Sequence, residues 1–235
     1  MQGIIFALQG HWGQFRKPET NNTPLTHDFI TKTALVGLIG AVLGIERAEM
    51  RSLFPQLCDD LLYGVQVNRV VKKESWQFTL RDVFAPNDPG KKSPRPMEFL
   101  REPSFTVALA LQSERSAELF SRFTVALQNG EARFTPVLGL HNCPAELEWK
   151  QAGDFVPQIG AYSTRSFVLR SHRFDANQGF TQFRVGFERI PTFQDADWWN
   201  LPSRYVEVVY PSAEMEIAVT GDHFRFGNGD AWCLI

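Results

Sequence analysis

Cysteine is scarce in this chain: Cys58, Cys143 and Cys233 are three among 235 residues, an odd number with no C-x-x-C pair. That excludes a disulfide framework and suits reduced thiols in a cytoplasm. Long apolar runs are also missing. The longest, residues 34–45, falls short of the about 20 residues a membrane-spanning helix needs, and the first residues lack the basic start and apolar stretch of a secretory signal, so no membrane association is expected. Neither sign of charge dominates, since 24 Lys and Arg face 26 Asp and Glu for a net charge of −2. Bulk coating of nucleic acid is thereby excluded, while a local basic site is not. Catalytic signatures are absent too: there is no P-loop, no G-x-S-x-G elbow, no H-E-x-x-H and no G-x-G-x-x-G between a strand and a helix. Among the five histidines only His141 shares a ligand-like spacing, with Cys143, and a structural zinc takes four ligands, so neither metal nor cofactor is expected.

What remains is ordinary globular usage, 43% hydrophobic and 21% charged, with 20 Phe tilting it toward a β-rich fold. Ile4, Phe6 and Leu8 alternate as a first strand ending at Gly10, followed by a polar loop over 16–32. Leu35, Leu38, Ile39, Val42 and Leu43 recur at helical spacing behind Thr31 or Thr33 as cap. Gly37, Gly40 and Gly44 form a stripe on that helix, for tight packing on the sheet or close approach of a bound backbone or partner. Strands are expected at 63–67 and 76–80, then at 105–111, with a proline-rich basic arm over about 85–103 between them. A second helix follows over 117–127, stopped by Asn129-Gly130, and a strand over 135–138.

The order strand, helix, strand, strand, helix, strand predicts an α+β fold: a ferredoxin-like, RRM-type βαββαβ domain over 1–150 with a hairpin thumb. A smaller all-β C-terminal domain over 151–235 follows, with strands at 167–174, 180–190, 204–210, 214–219 and 222–226 and with Pro157, Gly160 and Gly221 among its turn residues. Trp198 and Trp199 sit in its longest irregular piece beside Asp195 and Asp197, where a protein interface or a core role is more plausible than RNA.

Gly10-His11-Trp12-Gly13-Gln14-Phe15-Arg16-Lys17 packs turn glycines, two aromatics, an amide and two cations into eight residues, the inventory a single-stranded nucleic acid requires. The alternative is that Trp12 and Phe15 fold back onto the core. The opening strand followed by residues 10–16, the long loop, and then Thr33-Ala34-Leu35-Val36-Gly37-Leu38-Ile39-Gly40-Ala41-Val42-Leu43-Gly44 resemble the N-terminal signature of the fifth Cas family. That family supplies the CRISPR-associated subunit at one end of type I Cascade. Pro136-Val137-Leu138-Gly139-Leu140-His141-Asn142-Cys143-Pro144 is similar to the family's second recurring segment.

The resemblance implies a non-catalytic subunit that grips the five-prime handle of the crRNA, contacts the Cascade backbone subunit and large subunit, and meets target DNA only indirectly. It places handle contacts at His11, Trp12, Gln14, Phe15, Arg16, Lys17, Lys32 and Thr33, a base-edge contact at Asn142 with local capping as its alternative, and thumb contacts at Lys91, Lys92 and Arg95. The features look most like subtype I-B. Subtype I-C members cut precursor crRNA without metal, using a loop tyrosine and a Lys-His pair. Here the tyrosine position is occupied by His27, the loop 16–32 has no Tyr and no Lys-His dipeptide occurs, which leaves His27 and His172 as the acid and base of an endoribonuclease alternative. A β-rich protein-interaction module is the third reading.

Overall fold

The computed structural model describes residues 1–81, 92–175, 185–227 and 229–235. In chain order it builds β1 (Gln2–Gln9), β2 (Trp12–Gly13), α1 (Lys32–Leu43), α2 (Arg47–Asp60), β3 (Leu61–Val67), β4 (Lys73–Arg81), β5 (Lys92–Arg101), β6 (Ser104–Leu111), α3 (Ala117–Asn129) and β7 (Glu146–Asp154). The C-terminal part adds β8 (Val156–Thr164), β9 (Val168–Leu169), β10 (Arg173–Phe174), β11 (Val185–Phe193), β12 (Arg204–Pro211), β13 (Ile217–Arg225) and β14 (Ala231–Trp232). The fold is mixed α+β with several sheets. No helix among the described residues is long and apolar enough to cross a membrane.

The main sheet has the order β3-β6-β1-β7, antiparallel throughout. Alternation along β1 explains how it is covered on both sides. Ile4, Phe6 and Leu8 face the helices, where the Phe6 ring meets Phe123 of α3 edge-on at 5.8 Å. Ile5 faces the other way, with Ala108 and Ala110, under Phe155, Phe226, Trp232 and Leu234. Burying aromatic side chains of this size contributes about 2–3 kcal/mol each. The last residues reinforce this cover: Tyr63 and Ile235 exchange two backbone hydrogen bonds of 3.0 Å, so the chain end pairs with the outer edge of β3.

The helix caps follow the expected chemistry. Thr31 Oγ1 accepts from the Ala34 amide at 3.2 Å at the start of α1, and Gly44 closes that helix with φ of 70°. The glycines do not act as one stripe: a Cβ on Gly40 would lie 2.8 Å from Met50 Sδ of α2 and one on Gly44 would overlap the Arg133 side chain, whereas Gly37 faces open space. α2 is a helix that the expected order of elements does not contain; Met50, Phe54, Leu57 and Cys58 form its buried stripe around Pro55.

Further corrections concern strands. Residues 135–138 make no strand, only a bridge from Val137 to Pro144, and the fourth strand of the sheet is β7, which spans the expected boundary at 150. The arm is a hairpin, but β4 pairs with β5, not with 105–111, and part of its expected extent, including Lys91, lies outside the described residues. Pro94 and Pro96 sit inside β5 because that strand is open on one side there. Glu98, of the same parity, points its N–H away from β4 to the Pro24 carbonyl at 2.9 Å, so the prolines lack donors only on the unladdered side. In the C-terminal part, Pro157 and Gly160 lie within β8 and Gly221 within a continuous β13, where the His172 ring occupies the space a side chain would need. Residues 167–174 form two short strands, β9 and β10, instead of one.

Candidate nucleic-acid interface

The bend after β1 is fixed from three sides. Gly10 donates to Pro103 O at 3.2 Å, and Trp12–Gly13 pair with Arg101 and Leu100 at the base of the arm. The Gln14 amide donates to Leu138 O at 2.8 Å, and the Phe15 amide to Thr26 Oγ1 at 2.9 Å. The two segments 10–16 and 136–144, far apart in sequence, are therefore in direct contact. Gly139 is the joint: its φ is 91°, and a Cβ there would overlap the Gln14 carbonyl. Gly139→Ala should cost about 2 kcal/mol or more in chemical denaturation and displace the bend, because the obstructing atom is backbone that cannot rotate away.

At the surface of this junction an aromatic pair forms. The Trp12 ring meets Trp76 of β4 at 4.6 Å with planes 67° apart, and Trp76 keeps 45% of its surface exposed. Phe99 lies behind Trp76 at 6.3 Å, and Phe78 lies 5.5 Å from Phe99. From Arg101, the strand partner of Trp12, opens a cleft of about 390 Å³ lined by Asn68, Arg69, Val70, Lys72, Arg101 and Glu102 and, from the C-terminal part, by Ala213 and Glu214. A smaller cleft of about 190 Å³ between Gln9, His11, Arg69, Glu102 and Glu146 shares two of those residues. Among the described residues Arg69 and Lys72 have no ion-pair partner, whereas Arg101 pairs with Glu74 at 2.9 Å. Glu102, at the turn between arm and sheet, holds a left-handed φ of 48° while its N–H bonds His11 O at 2.8 Å. A non-glycine residue pays roughly 1–2 kcal/mol for that conformation, so the surrounding contacts hold the arm base firmly. Rings open to stacking beside cations open to phosphate are the two components of single-strand binding.

Several expected contacts are elsewhere. Phe15 is in the core against Phe105, and Gln14 is buried, so neither presents a stacking ring or an amide to the surface. Lys32 is only 6% exposed, and burial lowers its ammonium to about 8. Arg16 is exposed but donates to Thr20 O and Asn21 Oδ1 of its own loop, and Lys17 pairs with buried Glu188 at 3.1 Å. Thr33 Oγ1 lies 3.2 Å from Thr31 Oγ1 at the helix start. Asn142 is exposed in a turn and accepts from Cys143 Sγ at 3.6 Å. Arg95 lies across from Phe78 on the arm, and Lys92 is its strand's first residue. His11 and Trp12 are thus the expected residues that the fold gathers with Trp76, Arg69, Lys72 and Arg101. The latter four come to the bend by long-range pairing that the local pattern does not show: Arg101 through β2–β5, Trp76 through β4–β5, and the β3–β4 connection with Arg69 and Lys72 through the bond from the Arg101 amide to Lys72 O at 2.9 Å.

The family model described as CRISPR-associated protein (Cas_Cas5) matches residues 3–197. The chain belongs to the Cas5 family. It is 30% identical over 155 residues to the CRISPR system Cascade subunit CasD of Escherichia coli (strain K12), a match that covers 60% of this chain and 66% of that relative's length. In fold it is similar to a CRISPR protein from Archaeoglobus fulgidus, with a TM-score of 0.61 at 14% identity over 99% of this chain and 98% of that one. It is also similar to a chain of a CRISPR RNA-guided surveillance complex, with a TM-score of 0.53 at 14% identity over 89% and 90%.

For this Cas5 chain the face opposite the helices is closed by Phe155, Phe226, Trp232 and Leu234, so RNA cannot stack on the sheet as it does on an open RNA-recognition motif. The two histidines weighed as acid and base are apart. His27 is buried with Nδ1 on Glu188 Oε2 at 2.8 Å, whereas His172 meets Tyr162 OH at 2.9 Å and burial lowers its pKa. Neither ring is open to a ribose hydroxyl, as general acid–base cleavage requires. Among the described residues no group of three or more His, Cys, Asp or Glu is placed to hold a metal; His141 is exposed while Cys143 is buried.

Proposed function

We propose that this Cas5 chain is a non-catalytic, crRNA-binding subunit of a type I Cascade particle, holding the five-prime handle at the junction of the bend 10–17 with the base of the arm. The observation that carries this reading is the exposed Trp76 ring set against half-buried Trp12, near the open cations Arg69 and Lys72, at the junction of the segments 10–16 and 136–144. The Cascade subunit named by the curated relative supports the assembly. The ferredoxin-like description is supported by the order β3-β6-β1-β7, which with chain direction is the arrangement a βαββαβ unit gives. In this reading residues 1–150 with β7 completed form the RNA-holding domain, and the β-rich remainder roofs the sheet. The arm reaches along the guide to the backbone subunit, the large subunit docks nearby, and target DNA is met only through the crRNA. The particle works in the cytoplasm.

The experiment is copurification of a tagged chain with its native neighbours, with the bound RNA sequenced from its five-prime end. Repeat-derived ends protected by this chain are expected. Incubated alone with precursor crRNA in EDTA, the chain should leave the RNA intact; a discrete cut at the repeat, lost in His27→Ala or His172→Ala, would overturn the non-catalytic reading.

A further inference from the structure

The loop after β11 presents Trp199 with 94% of its surface exposed, followed by Leu201 at 64%. This display is held in place by the loop's own polar groups. Gln194 Nε2 donates to the carbonyls of Asp197 and Asn200 at 3.2 Å each. Asp195 accepts from the Asp197 amide at 2.9 Å and from Asn200 Nδ2 at 3.2 Å, and the Trp199 amide donates to Asp197 Oδ1 at 3.2 Å. Its foot is clamped to α2, where Trp198 lies edge-on to Phe54 at 5.8 Å with the Arg47 guanidinium 5.5 Å from its ring. Arg51 donates from Nε to the Ala196 carbonyl and pairs with Asp197 at 3.8 Å.

An indole with only two side-chain torsions, carried on a backbone already fixed by the loop's hydrogen bonds, loses little conformational freedom when it is covered, which is the property of an interface anchor. The charges around it select among partners. Glu46 and Glu49 on the exposed start of α2 and Asp195 and Asp197 in the loop outnumber Arg47 and Arg51, and both guanidiniums are already turned onto the loop. Phosphate would be repelled here. We infer that Trp199 is the anchor by which a second protein subunit docks on this chain, through an apolar slot that takes the indole and a rim of Lys or Arg facing Glu46, Glu49 and the loop carboxylates. This rests on the reading of the chain as a subunit of a multi-protein particle. The loop packs on α2 while the bend packs on the base of the arm, so the two interfaces can be tested apart.

The test is reconstitution of the particle with Trp199→Ala and Glu49→Lys, each checked for an unchanged melting temperature. Subunit content is read by native mass spectrometry, and Trp199 by hydroxyl-radical footprinting in the free chain and the particle. Protection of Trp199 in the particle, at least tenfold weaker retention of one protein subunit in Trp199→Ala, partial loss in Glu49→Lys and recovery in Trp199→Phe are expected, with crRNA binding by the chain unchanged. Wild-type assembly in both variants, or loss of RNA with all proteins retained, would overturn the inference. So would a free chain that dimerises through Trp199. Failure of the wild-type chain to enter any particle would instead overturn the subunit reading, and the docking anchor with it.

Discussion

Glu188→Gln should destabilise the chain by about 3–5 kcal/mol, the range for breaking a buried ionic group by removing one partner. The Glu188 side chain is 2% exposed, and its carboxylate accepts from His27 Nδ1 at 2.8 Å, from the Asp28 amide at 3.1 Å and from Lys17 Nζ at 3.1 Å. One glutamine cannot accept from all three on equal terms, since half of its head group donates. The loss spreads because the cluster is a joint. Lys73 of the arm pairs with Asp28 at 2.7 Å and with Glu98 at 3.3 Å, and the Tyr210 hydroxyl of β12 donates to Asp28. The long loop, the arm and the C-terminal sheet therefore meet on Glu188 and Asp28. Burial pushes the Glu188 carboxyl up, but the hydrogen bond and charge of His27 and the charge of Lys17 outweigh it and hold it below the ordinary value. A carboxyl depressed in the folded state adds stability above its unfolded value near 4.5, and that stability drains away as pH falls through the lower folded value. The substitution should accordingly flatten the acid limb of the stability profile. Urea denaturation at pH 7 and near pH 4 reads both effects. The exposed pair Arg170–Glu207, at 2.8 Å, is the control: Arg170→Ala should cost less than about 1 kcal/mol. Equal losses in the two variants would mean that Glu188 is no keystone.

The elements legible in the sequence were those whose pattern is local. Alternation in β1, β3 and β6 and the Thr31 and Gly130 ends of the helices follow from the period and the cap chemistry alone. α2 escaped because Pro55 interrupts a polar segment, although Met50, Phe54, Leu57 and Cys58 already carry helical spacing. Val137 and Leu138 carry the expectation of a last strand because they are more apolar than Glu146-Leu147-Glu148-Trp149-Lys150. An edge strand needs only one inward face, and β7 alternates accordingly. For the site, sequence neighbours were a poor guide to surface neighbours. Phe15 and Gln14 adjoin Trp12 in the chain but turn inward. Trp76 lies 64 positions away and touches it, because the arm folds back along its own hairpin before β2 pairs with Arg101.

That difference separates RNA contacts from folding contacts in the strongest functional prediction. Trp76→Ala should weaken binding of a handle-length single-stranded RNA by roughly 1–3 kcal/mol, about 5- to 150-fold, the amount by which base stacking on an aromatic contributes. Its melting temperature should barely move, since the ring is 45% exposed and leaves Phe99 to cover the core below. Phe15→Ala should behave oppositely, losing about 3–5 kcal/mol of stability as a buried aromatic truncation while any RNA defect tracks the unfolded fraction. Arg69→Ala and Lys72→Ala test the electrostatic half. Each phosphate contact on a single strand adds about 0.7 to the slope of log affinity against log salt. Removing either cation should flatten that slope by about this amount and weaken binding most at low salt, whereas Trp76→Ala should shift the line without tilting it. Anisotropy titrations between about 50 and 200 mM salt distinguish the two behaviours. A Trp76→Ala chain that binds as tightly as wild type, with Arg69→Ala leaving the slope unchanged, would move the RNA off this junction altogether and leave the aromatic pair as packing at the root of the arm.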